Sequence, residues 1–151
     1  MLENATQITE LARWGRGVIT DIDLSLNGQW LAVAAGPAVY IHNVNDLRAR
    51  PRVVIASANV SSISISPDGA IVALAAENDE MQIWQLGPRK LLFAREGVWA
   101  PQFSPDGGAL GVIKKTGIVI LSSSNGEELA FYANGYFPRF KFSSGGSRVA
   151  I

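Results

Sequence analysis

The sequence predicts an all-β fold made of repeated four-stranded antiparallel units. Three observations carry that prediction. A turn sequence returns at a near-constant spacing of 38 to 41 residues, apolar runs of strand length flank each copy in a fixed order, and no convincing helical stretch separates them.

The turn comes first. Ile65-Ser66-Pro67-Asp68-Gly69 recurs 38 residues later as Phe103-Ser104-Pro105-Asp106-Gly107. Weaker copies stand at Leu24-Ser25-Leu26-Asn27-Gly28 and Phe142-Ser143-Ser144-Gly145-Gly146. Proline presets φ, aspartate bonds its own backbone, and glycine accepts φ > 0 without steric cost, so the element reads as a tight turn. A first strand precedes it, seen in Ile19, Ile22 and Leu24 or Val60, Ile63 and Ile65, where period-two alternation is the strand signature. A second follows, as Trp30-Leu31-Ala32-Val33-Ala34, Ile71-Val72-Ala73-Leu74-Ala75 and Ala109-Leu110-Gly111-Val112-Ile113. The third is Ala38-Val39-Tyr40-Ile41, Met81-Gln82-Ile83-Trp84 and Gly117-Ile118-Val119-Ile120-Leu121. Arg52-Val53-Val54-Ile55, Leu91-Leu92-Phe93-Ala94 and Leu129-Ala130-Phe131-Tyr132 close the units.

Four short strands every forty residues or so define the blades of a β-propeller. One small sheet cannot bury both its faces, and neighbouring blades cover them. Blades are expected at about 18–56, 60–96 and 98–134, with an incomplete one at 136–151. Propellers have about four to eight blades. Residues 15–151 therefore read as a partial, incomplete propeller, the N-terminal part of a longer ring. The remaining blades are expected from the same longer chain, or less readily from another copy. Residues 1–14 form a separate N-terminal segment, expected to close the ring as a strand over 6–14, with a short helix as the competing reading.

Composition agrees. Apolar residues make up 48% of the chain and charged ones 17%, against about 25% charged in ordinary domains, as expected of sheets covered on both sides. Thirteen basic and thirteen acidic residues cancel, which argues against a nucleic-acid footprint. No cysteine is present, which removes disulfides, thiolate nucleophiles and thiolate-held metals. The N-terminus lacks the pattern of a signal peptide, and no apolar run is long enough to span a bilayer. A cytoplasmic protein without membrane insertion is expected.

The blade pattern resembles the WD-repeat family, on the strand–Ser-Pro-Asp-Gly–strand arrangement and on Ile83-Trp84 near the end of a third strand. The resemblance covers residues 15–151. The family's Gly-His pair is absent, and its Trp-Asp pair is replaced by Trp84-Gln85, His42-Asn43 and Ser122-Ser123, so its His- and Asp-supported hydrogen-bonded tetrad is not expected. The resemblance implies protein partners, bound on the face formed by loops entering the innermost strands and loops joining second to third strands. Carried onto this chain, that face takes in Asn59, Glu77, Asp79 and Glu80 of the second blade. Glu96, Trp99, Lys114 and Lys115 follow from the third, and Tyr136 and Arg139 from the fourth. Trp99 is the most suggestive, because aromatic and arginine side chains dominate binding hot spots; the competing reading packs it near the ring centre or against a neighbouring blade.

Catalytic chemistry finds little footing. His42, the sole histidine, sits in a third strand without a serine–acid pair in view. One histidine and no cysteine nearly exclude a zinc site. The acidic run Glu77-Asn78-Asp79-Glu80 lacks the glycine and spacing of a calcium loop. Arg48-Ala49-Arg50-Pro51-Arg52 reads as an exposed loop. The expected function is a non-catalytic scaffold or sensor with no cofactor. The alternative is a propeller that gates or recruits substrate within a larger enzyme such as a peptidase or kinase.

Overall fold

The computed structural model describes residues 17–133 and 139–151, and the expected N-terminal strand or helix lies outside these. Twelve strands form three four-stranded antiparallel sheets, each in simple sequence order. The first blade comprises β1 (Ile19–Leu24), β2 (Trp30–Ala35), β3 (Ala38–Asn43) and β4 (Arg52–Ile55). The second comprises β5 (Val60–Ile65), β6 (Ile71–Ala76), β7 (Glu80–Gln85) and β8 (Lys90–Glu96). The third comprises β9 (Val98–Phe103), β10 (Ala109–Lys114), β11 (Gly117–Ser122) and β12 (Glu128–Ala133). A two-stranded pair, β13 (Lys141–Phe142) with β14 (Val149–Ala150), begins a fourth. Among the described residues there is no helix and no closed ring. The expected all-β propeller architecture is what the chain adopts.

The cores lie between blades. Val39, Ile41 and Val54 of the first blade meet Ile63, Ile65, Val72 and Leu74 of the second. Met81 and Ile83 of the second meet Phe103, Leu110 and Val112 of the third. Ile113, Ile118 and Ile120 meet Phe140 beside the fourth. Burying each such side chain contributes about 1.5–3 kcal/mol, so stability is shared along the row of blades.

In the first three turns the serine is buried and works with the residue two positions on. Ser66 Oγ donates to Asp68 Oδ1 at 2.6 Å and accepts from Ile71 N at 2.9 Å, while Asp68 Oδ1 also accepts from Ala70 N at 3.0 Å. Ser104 and Asp106 repeat the pattern, and Ser25 repeats it with Asn27 as the acceptor. The turns also touch one another. Asn27 Nδ2 donates to Asp68 O at 3.2 Å, and Gly69 lies under Trp30, whose indole a Cβ at that position would strike. Gly69 has φ of +74° as well, so the site needs glycine twice over.

The innermost strands are stapled by side chains. Asp21 Oδ2 accepts from Ile63 N and Asp23 Oδ2 from Ile65 N, each at 2.8 Å, across 42 residues of chain. The other oxygens accept from Ile22 N at 2.9 Å and Leu24 N at 3.0 Å. Between the second and third blades Ser64 Oγ takes the same part, accepting from Phe103 N at 3.2 Å. The inner edge of a blade thus finds acceptors on the preceding blade.

Asp23→Ala is expected to cost about 1–3 kcal/mol, the penalty of orphaning a buried N–H. Asp23→Ser should cost less, since Ser64 fills the equivalent place; equal losses in urea unfolding would remove the staple from the account. Ser66 and Ser104 hold the Asp68 and Asp106 carboxyls below the ordinary 3.8. A lowered value stabilises the fold above pH 3.8 and the contribution fades as pH falls below it. Asp68→Asn with Asp106→Asn keeps the turn, as Asn27 does, but loses the charged bond. The wild type's advantage over this variant should therefore be present at pH 7 and vanish as pH drops through the 3.8-and-below range. An unchanged difference at pH 2 would contradict it.

Candidate interaction face

Antiparallel order puts two kinds of loop at one end of every blade: the turn joining second to third strands and the entry to the next innermost strand. In the first two blades these loops are knitted by backbone bonds. Val60 N donates to Gly36 O, Glu77 N to Asn59 O and Gly97 N to Asp79 O, each at 2.8 Å. Asp79 reaches its place with φ of +60°, a conformation aspartate tolerates better than most residues.

Nine of the ten expected face residues are described, and all nine lie in these loops or at the strand ends beside them; Tyr136 lies outside the described residues. Asn59, Glu77, Asp79 and Glu96 are exposed, as are Lys115 and Arg139. Asn59 Nδ2 donates to Glu77 Oε2 at 3.1 Å. Trp99 is 38% exposed, on the solvent side of β9 next to buried Val98. It precedes Ala100, a non-glycine residue with φ of +50°, where strain of about 1 kcal/mol or more is held at a register shift in the β9–β10 ladder. Lys114 ends β10, with its ammonium 4.2 Å from the centre of the Phe131 ring.

Glu80 is committed inward. Its Oε2 accepts from Ser57 Oγ at 2.6 Å and from Asn78 Nδ2 at 3.3 Å. Its Oε1 accepts from Gln82 Nε2 at 3.0 Å, and Gln82 Oε1 accepts in turn from Trp84 Nε1 at 2.9 Å. Glu80, Gln82 and Trp84 alternate along β7 and so share one face of the strand. The bond from Ser57 above all, with those from Gln82 and Asn78, holds the Glu80 carboxyl below its ordinary 4.5. The relay runs from the loop surface to an indole packed against the first inter-blade core. Ser57, Asn78 and Gln82 were not among the expected site residues; alternation with Glu80 on the third strand was the available signal for Gln82, and the loop residues Ser57 and Asn78 carried none.

The face is divided by charge. Glu77, Asp79 and Glu96 gather at the second blade, while Lys115, Lys114 and Arg139 follow at the third and fourth. Asp79, Glu96, Lys115 and Arg139 have no side-chain hydrogen bond or ion pair among the described residues. Elsewhere, His42 is buried at 2% exposure in β3. Arg48 and Arg50 are exposed, but Arg52 begins β4 and stacks 4.6 Å from the Trp30 ring centre, so the basic stretch is part loop and part packing. No group of three or more His, Asp or Glu is placed to hold a metal among the described residues.

No family model matches the chain. It is 32% identical over 101 residues to an uncharacterized WD repeat-containing protein of Synechocystis sp., a match covering 60% of this chain and 29% of that protein. It superposes on the crystal structure of the Cps50 (Swd1) β-propeller domain of Myceliophteria thermophila with a TM-score of 0.73 at 18% identity, covering 87% of this chain and 47% of that one. The chain thus spans less than a third of that curated relative and about half of that solved chain. Relative and neighbour together support a WD-repeat-like β-propeller.

Replacing Glu80 by Gln should disconnect Trp84 from solution pH. In the wild type the Trp84 Nε1–H resonance, assigned by its loss in Trp84→Phe, is expected to move with a midpoint below pH 4.5. The same movement in the Glu80→Gln protein would place its origin elsewhere.

Proposed function

We propose that this chain is part of a non-catalytic interaction platform that holds a protein partner on the charge-divided loop face. The observation that carries the reading is the arrangement of uncommitted side chains there. Asp79 and Glu96 on one side, Lys115 and Arg139 on the other, and the exposed ring of Trp99 offer opposite charges and an aromatic anchor. Such a surface selects a partner of matching polarity more than it contributes bulk affinity, and the tryptophan supplies contact area at low entropic cost.

The resemblance to WD-repeat proteins supports the general reading, since that family works mainly through protein contacts. Glu80 is assigned a different part, because its oxygens already serve the relay to Trp84. It shapes the loops that present Glu77 and Asp79.

Photo-crosslinking in the organism that makes the protein tests the proposal. A benzophenone amino acid placed at Trp99 or Lys115 should give discrete protein adducts, and one placed at Pro67 or Asp106 on the opposite end should not. Glu96→Lys combined with Lys115→Glu should reduce those adducts about tenfold, equivalent to about 1.4 kcal/mol. Adducts confined to the Pro67 and Asp106 probes would overturn the assignment of the face.

A further inference from the structure

The innermost strands carry a second pattern, which shares Arg139 with the loop face. Four residues ahead of the turn serine stand Asp21, Ser62, Ala100 and Arg139 in successive blades, and two residues ahead stand Asp23, Ser64, Gln102 and Lys141. All eight line one cavity of about 580 Å³ on the inner side of the blades. Its charge runs from two carboxylates on the first blade, through neutral side chains, to two cations at the fourth. Ile22, Ala100 and Ala150 add accessible apolar surface beside them.

The two charged ends do not neutralise each other. Each oxygen of Asp21 and Asp23 accepts one backbone N–H, and a carboxylate oxygen has room for a second donor. Arg139 and Lys141 make no ion pair or side-chain hydrogen bond among the described residues. A simple anion entering the cavity is drawn to one wall and repelled by the other, and a simple cation meets the reverse. A molecule with both charges gains at both ends. The volume falls within the roughly 300–1,000 Å³ of small-molecule sites.

We propose that this cavity binds a small zwitterion with an apolar body, of the chemistry of a short free peptide. Its ammonium faces Asp21 and Asp23, and its carboxylate faces Arg139 and Lys141. The guanidinium grips the carboxylate through paired N–H donors. The apolar side chains lie along Ile22, Ala100 and Ala150. The site shares Arg139 with the loop face but none of Glu96, Trp99 and Lys115, which test that face, so the two assignments are checked by separate variants.

The test is a titration of the intact protein with the free peptides Leu-Leu and Leu-Leu-Leu, followed by calorimetry and by the amide resonances of Ser62 and Gln102. The same peptides with an acetylated amine or an amidated carboxyl serve as comparators. A free peptide should bind saturably, and each capped form should bind at least tenfold more weakly. Arg139→Ala with Lys141→Ala, both exposed positions, should weaken the free peptide about as much as amidation does, and amidation should then cost nothing further. Equal affinity for free and capped forms would overturn the proposal. So would full affinity in the double variant, or no binding of either free peptide at ~10 mM, a range where even contacts of a few kcal/mol register.

Discussion

A four-stranded sheet of twenty-odd residues has two apolar faces and an inner edge of unpaired N–H groups, and it can satisfy neither alone. In this chain both needs are met by the adjacent blade. Ile63 and Ile65 bury their side chains against the first blade, and their backbone N–H groups reach back to Asp21 and Asp23 of that blade. Packing and polar satisfaction therefore depend on the same inter-blade register. A slip of one residue would expose the isoleucines and orphan the donors together. The turns, with Gly69 under Trp30 and Asn27 on Asp68, fix that register from the other end.

With the register fixed, the loop face becomes a rigid display. Its acidic side rests on the relay from Ser57 through Glu80 and Gln82 to Trp84. The relay stands on the third strand whose Ile83-Trp84 carries the family resemblance, in a blade that lacks the family's Gly-His and Trp-Asp pairs. A carboxylate, an amide and an indole link loop to core here, and ordered polar chains of this kind specify one arrangement of the groups they join. The basic side rests on Lys114 above Phe131 and on the bend at Ala100 beside Trp99.

Strands and turns were legible because their signals are local: two-residue alternation, Ser-Pro-Asp-Gly, and spacing. The face residues were legible as loop positions for the same reason. Their roles were not. Glu80 reads like Glu77 in sequence, and only the placement of Ser57 and Gln82 separates a structural carboxylate from a surface one. Asp21 and Asp23 drew no attention as polar residues within an apolar strand, because their partners lie 42 residues away across a blade boundary. The left-handed turn at Ala100 carries no glycine to announce it.

The span of those staples has a bearing on how the chain folds. Each joins a blade to its immediate successor, and the inter-blade cores do the same. The loop to be closed at each docking step is therefore of similar length whichever blade is added. Since closure entropy depends on that length, and folding rates on the mean separation of contacts, lengthening such an array adds successive steps of comparable difficulty. Assembly can then proceed by accretion, one sheet templating the next.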